Sequence, residues 1–113
     1  MGRRLFAPPV RAKRWRGWTP PVDVEETGEA WIFEVELPGA RQDDVVVEVG
    51  DEELAISGEI REPERVGVVR RRGRHVGNFH YHSALPPGVN AYRVEAQYGN
   101  GVLTVCVPRP EHA

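Results

Sequence analysis

His80-Tyr81-His82 is the stretch of this chain closest to a metal chelate. On a strand, residues i and i+2 point to one face, so two imidazoles would stand side by side, with His75 close in sequence. A zinc site needs three or four ligands, and no third ligand follows at a diagnostic spacing. A partly exposed strand face accounts for the pair without a metal. Cys106 is the single thiol, and inside an apolar strand it reads as a small hydrophobe rather than a nucleophile. The only serines, Ser57 and Ser83, lie outside any GxSxG elbow. The paired carboxylates Asp43-Asp44 and Glu52-Glu53 fall in polar turns, where no cleft separates their proton affinities. Arg70-Arg71-Arg72 with Arg74 could meet phosphates, could protect a sheet edge, or could meet acidic groups of a partner. No Gly-rich phosphate loop and no GxGxxG is present. The chain therefore offers no catalytic residue, no metal ligand set and no cofactor site, and it does not read as an enzyme.

The elements that carry these residues are short and alternate in polarity. Val22 and Val24 face opposite Asp23 and Glu25; Trp31, Phe33, Val35 and Leu37 face opposite Glu34 and Glu36. That period of two predicts half-buried strands. Further strands are expected at Val45–Val49, with Val45, Val47 and Val49 inward, at Leu54–Ser57, at His75–Leu85, at Arg93–Tyr98 and at Val102–Val107. Gly99-Asn100-Gly101 is a tight turn between the last two. Glu59 to Arg74 is too long for a hairpin loop, so it reads as a protruding loop with a short strand over Val66 to Arg70. No segment has a helical period. The chain holds 17 Val against 5 Leu, a balance that favours pleated structure. The fold class is thus all-β: a two-sheet antiparallel sandwich in one domain.

At 113 residues there is room for one modest core but not for a large substrate cavity as well. One Cys excludes a disulfide framework and fits a reducing compartment, no apolar run reaches membrane-span length, and no secretory signal is expected. A cytoplasmic protein without membrane contact is the expectation. The net charge of −2 hides an asymmetry: residues 1–18 carry six basic side chains and no acid, whereas the rest is strongly acidic. Such an arm could grip nucleic acid. Phe6, Trp15 and Trp18 suit docking better than base reading, so the arm is expected to fold onto its own or a neighbour's acidic body, and nucleic acid is not the partner inferred.

Read in order, the segments resemble the α-crystallin domain of the small heat-shock protein family. Trp18-Thr19-Pro20-Pro21-Val22-Asp23-Val24-Glu25-Glu26 is similar to the family's W-x-P-x-V-D-I-x-E opening. Leu37-Pro38-Gly39, the D-V-x-V-x-V run at Asp44 to Val49, and Leu54-Ala55-Ile56-Ser57-Gly58-Glu59 resemble its next three motifs. Gly77-Asn78-Phe79 with Leu85-Pro86, and Ala96 through Leu103 around Asn100-Gly101, resemble G-x-F…L-P and A-x-x-x-N-G-V-L. Each motif alone is weak, but the ordered set is specific.

The resemblance implies an immunoglobulin-like sandwich over residues 19–108, between an arm at 1–18 and a tail at 109–113. It implies an ATP-independent holdase that binds unfolding proteins and suppresses aggregation. It implies a homodimer in which the protruding loop swaps, so that Val66, Val68 and Val69 pair beside Val22 and Val24 of the other chain. It also implies an edge groove for clients or tails, lined by Val45, Val47, Val94 and Ala96, with arm contacts to clients through Leu5, Phe6, Trp15 and Trp18. No I-x-I follows the last strand, so dimers or small exchanging oligomers are expected, the groove being open or covered by Leu5, Phe6 or Val10. The Arg usual after G-x-F is Tyr81 and the later aromatic is Ser83, so the family's interface ion pair is not expected. The competing class is an adaptor or structural module of the same shape that binds one specific partner.

Overall fold

Alternating side chains become strands here because each has a sheet neighbour to complete its hydrogen bonds. The computed structural model describes the backbone of residues 3–4 and residues 17–50, 52–71 and 73–110. Its strands are β1 (Arg3–Arg4), β2 (Val22–Glu26), β3 (Ala30–Glu36), β4 (Val45–Val49), β5 (Glu53–Ile60), β6 (Gly77–Ala84), β7 (Glu95–Gly99) and β8 (Val102–Pro108). They form two four-stranded sheets, ordered β1-β4-β5-β6 and β2-β3-β8-β7, with every pairing antiparallel.

The inner faces supply the core. Phe33 and Val35 come from β3, Val45, Val47 and Val49 from β4, Leu54 and Ile56 from β5, Phe79 from β6, and Leu103, Val105 and Val107 from β8. Each such side chain contributes about 1.5–3 kcal/mol on leaving water. Phe33 and Tyr81 meet edge to face across the two sheets, ring centres 6.3 Å apart. Gly58 lets the β5 backbone pass close beneath this core. A Cβ there would lie 2.0 Å from the Asp44 carbonyl oxygen and 2.9 Å from the Phe79 ring.

The expected strands all form except one, and three are displaced by two or more residues at one end. The strand expected from His75 starts at Gly77, and the one expected at Leu54–Ser57 runs on to Ile60. The one expected from Arg93 starts at Glu95, because a 3-10 turn over Ala91–Arg93 precedes it. There the Asn90 side chain accepts the Tyr92 amide at 2.9 Å and bends the chain. Val66 to Arg70 forms no strand in the single chain, since no neighbouring strand lies alongside it; the segment bends at Val66-Gly67. Val46, expected on the polar side of β4, is buried.

Candidate functional site

The surfaces this fold leaves for docking are strand edges and exposed apolar side chains. β2 is an outer strand of its sheet: β3 occupies one side and, among the described residues, the other is unpaired. Val22 packs against the core, but Val24, on the same face, is 52% exposed, so the apolar face of β2 runs out beyond the sandwich. The opposite face is acidic. Asp23 stands directly across from Glu34, and Asp23, Glu34 and Glu36 line one hollow of about 160 Å³ with Pro21 and Val102. Like charges placed directly opposite each other on a sheet destabilise it.

The second surface is the connection from Arg61 to Val76. Val66 is fully exposed, Val68 is 81% exposed and Val69 is also exposed, which leaves three β-branched apolar side chains in water. Its root is firmer. Arg61 donates to Asp44 Oδ1 at 2.8 Å, while Asp44 Oδ2 is buried without a hydrogen-bond partner among the described residues. Arg41, Arg61 and Arg74 with Glu62 and Glu64 line a cleft of about 410 Å³ where the connection leaves the sandwich.

The third surface is the β4 edge. Sequence reasoning places Val45, Val47, Val94 and Ala96 along an open groove. In the structure Val45, Val47 and Val94 are fully buried core residues and Ala96 is half-buried against them. Among the described residues these side chains face the core. The free side of β4 is taken by β1, with Arg3 opposite Val49 and Arg4 opposite Glu48. Sequence analysis could not foresee this pairing, because two residues carry no periodicity. Leu5, Phe6, Val10 and Trp15 lie outside the described residues. Trp18 is half-buried at the other end of the same sheet. Its amide donates to the Asn78 carbonyl at 3.0 Å, its carbonyl accepts the His80 amide at 2.9 Å, and its ring stacks on His75 at 4.3 Å.

The candidate ligands separate. His82 Nε2 meets Glu53 Oε2 at 2.7 Å, His75 is held by Trp18, and among the described residues no three His, Cys, Asp or Glu side chains group around a point. Cys106 is half-buried on β8, pointing away from the Val105 face. Arg109 is a contact that sequence analysis missed. Its amide donates to the Glu29 carbonyl at 2.8 Å and its Nε to the Thr27 carbonyl at 2.9 Å. Its guanidinium pairs with Glu26 and lies 4.5 Å from the centre of the Trp31 ring. Among the described residues no helix is long and apolar enough to cross a membrane.

Comparison with known proteins fits this architecture. Residues 23–113 match the model of the Hsp20/alpha crystallin family. The chain is similar to a 17.8 kDa class I heat shock protein of Arabidopsis thaliana, 41% identical over 95 residues that cover 81% of this chain and 60% of the relative. It is similar to heat shock protein 16 of Schizosaccharomyces pombe, 35% identical over 97 residues, 82% of this chain and 68% of that one. Among solved structures it superposes on heat shock protein 16.0 from Schizosaccharomyces pombe with a TM-score of 0.78 and 34% identity, covering 86% of this chain and 92% of the other. A small heat-shock protein from Xylella fastidiosa, described as having a distinct high order structure, gives a TM-score of 0.76 at 30% identity, covering 85% and 90%. The chain spans about 60% of the length of the Arabidopsis relatives it matches.

Proposed function

The chain belongs to the Hsp20/alpha crystallin family of small heat-shock proteins, and from that premise we propose that it is a cytoplasmic, ATP-independent holdase that captures unfolding proteins before they aggregate. A holdase does no bond chemistry. It needs apolar surface that can be offered or withdrawn, and an assembly that controls the offer. The observation that carries the reading is a pair of unmet surfaces in one chain: the unpaired β2 edge with half-exposed Val24, and a long connection with Val66, Val68 and Val69 in water.

These surfaces fit each other across two copies. The proposed unit is a homodimer in which Val66 to Arg70 of each protomer adds a strand beside β2 of its partner. A bare edge strand and exposed valines are aggregation hazards in a monomer, and exchange removes both at once. With β1 lying on β4, assembly beyond dimers or small oligomers is proposed to depend on displacing Arg3–Arg4 from that edge.

Two measurements test this. At stoichiometric ratios the protein should suppress light scattering from several unrelated heated clients equally with and without ATP. Suppression for one client alone would favour the adaptor reading. Replacing residues 62–73 by a short Gly-containing turn should give a monomer by sedimentation. An intact dimer after that change would remove loop exchange.

A further inference from the structure

We propose that the exchanged loop is selected by charge: Arg71 of one protomer docks on the acidic outward face of β2 and β3 of a second copy. The inference rests on the exchange reading and adds what sets the choice of partner. Asp23, Glu25, Glu34 and Glu36 share or border one exposed surface, with Asp23 directly opposite Glu34, and none forms an ion pair among the described residues. Arg70 and Arg71 are likewise exposed and without an ion pair among the described residues. A protein that leaves carboxylates crowded on one edge and guanidinium groups on one loop carries two halves of an interface.

Strand geometry decides which arginine reaches the acids. In an extended segment alternate residues share a face, so Val66, Val68 and Arg70 point one way and Gly67, Val69 and Arg71 the other. Val22 and Val24 form the inward face of β2, and Asp23 and Glu25 the outward one. A segment that continues the apolar face with Val66 and Val68 must present Arg71 to Asp23, Glu25 and Glu34. A slip of one residue would put Val66 and Val68 into the acidic face and leave only Gly67 and Val69 for the apolar one, so the apolar pattern selects the register in which Arg71 meets the acids. Such complementarity chiefly controls association rate and partner discrimination.

The test uses two full-length variants. In the first, Arg70→Glu and Arg71→Glu make the loop acidic; in the second, Asp23→Lys and Glu25→Lys make the edge basic. Every altered position is exposed, so the sandwich should stay folded, which circular dichroism checks. Each variant alone faces like charge at both of its contacts and should dimerise about tenfold or more weaker than the unaltered chain. Mixed, the two should form heterodimers at the concentrations where the unaltered chain dimerises, because each contact then joins opposite charges. The unaltered dimer should also weaken as monovalent salt rises past the level where screening lengths fall to ~8 Å. Variants that homodimerise as tightly as the unaltered chain, while the 62–73 replacement is monomeric, would overturn the charge selection and leave loop exchange standing. A dimer that survives the 62–73 replacement would overturn both.

Discussion

Two neighbouring strand pairs in this molecule are joined in opposite ways. Between β7 and β8 the chain reverses through Asn100-Gly101, with φ of 54° and 78°. Positive φ at both central residues gives a turn whose twist matches the flanking strands, and Asn-Gly is the pair that adopts it most readily. Between β5 and β6 the strands are equally adjacent, paired from Glu53–Ala84 to Ile60–Gly77, yet residues 61–76 leave the sheet before returning. The same protein can close a hairpin in two residues and, one pair away, does not. The long connection therefore cannot be explained by the need to reverse direction. Its exposed valines and arginines are what the proposed exchange would bury.

Substitutions on either side of this contrast should differ in size. The largest effect belongs to the strand that follows the long connection: Phe79→Ala empties a core position and should cost about 3–5 kcal/mol in denaturant unfolding. A loss below about 1 kcal/mol would mean that β6 is held by its ladder rather than by the core. Next is the short turn. Gly101→Ala forces an L side chain to positive φ, with its Cβ 3.4 Å from the Pro38 Cα, and should cost about 1–3 kcal/mol. The same change at Gly67, where a Cβ meets nothing within 4 Å, should stay within about 0.5 kcal/mol for the monomeric fold. Equal effects at the two glycines would erase the contrast.

An effect smaller than that at Gly101 lies on β7. Tyr98 donates its hydroxyl to the Leu37 carbonyl at 2.6 Å, so Tyr98→Phe should cost about 0.5–1.5 kcal/mol near neutral pH. Burial pushes the phenol above its ordinary value of 10.0, against an opposing backbone contact from Ala40. The folded state then keeps a proton that the unfolded chain gives up. Stability from this group is complete below about pH 10 and is lost as pH rises through the folded value. Unfolding curves of the Phe variant should therefore converge on those of the parent as the solution becomes more alkaline. Curves that stay parallel would show that the hydroxyl has no such role.

Sequence reasoning reached the sandwich because inward valines, Pro-Gly stops and Asn100-Gly101 are local signals with local causes. It reaches less far where the cause is distant or lies outside the chain. Val66 to Arg70 has strand composition but no neighbour to pair with. Val46 has the outward parity of a polar residue, and period two does not register what covers an outer face. Val45, Val47 and Val94 read as groove residues from their motif positions, whereas their burial depends on how closely two sheets pack. Arg109 looks like the start of a tail, and its contacts to Thr27, Glu29, Glu26 and Trp31 depend on bringing together residues about eighty positions apart. The charge pattern of the candidate interface was visible piecemeal, as an Arg run and as polar faces of strands. Only the register of Asp23 against Glu34 turns these into one surface.

The composition of the core has a consequence for heat. Among the described residues eight valines are buried against four leucines. A valine has a single side-chain torsion, already restricted by branching, so ordering it sacrifices less rotamer freedom than ordering a longer chain. A smaller entropy of unfolding at comparable enthalpy moves the melting point upward, because the midpoint is their ratio. For a protein proposed to act when others lose their structure, the relevant quantity is the temperature interval between its own melting and that of its clients. Stiff, short side chains widen that interval from the entropy side, without a larger core.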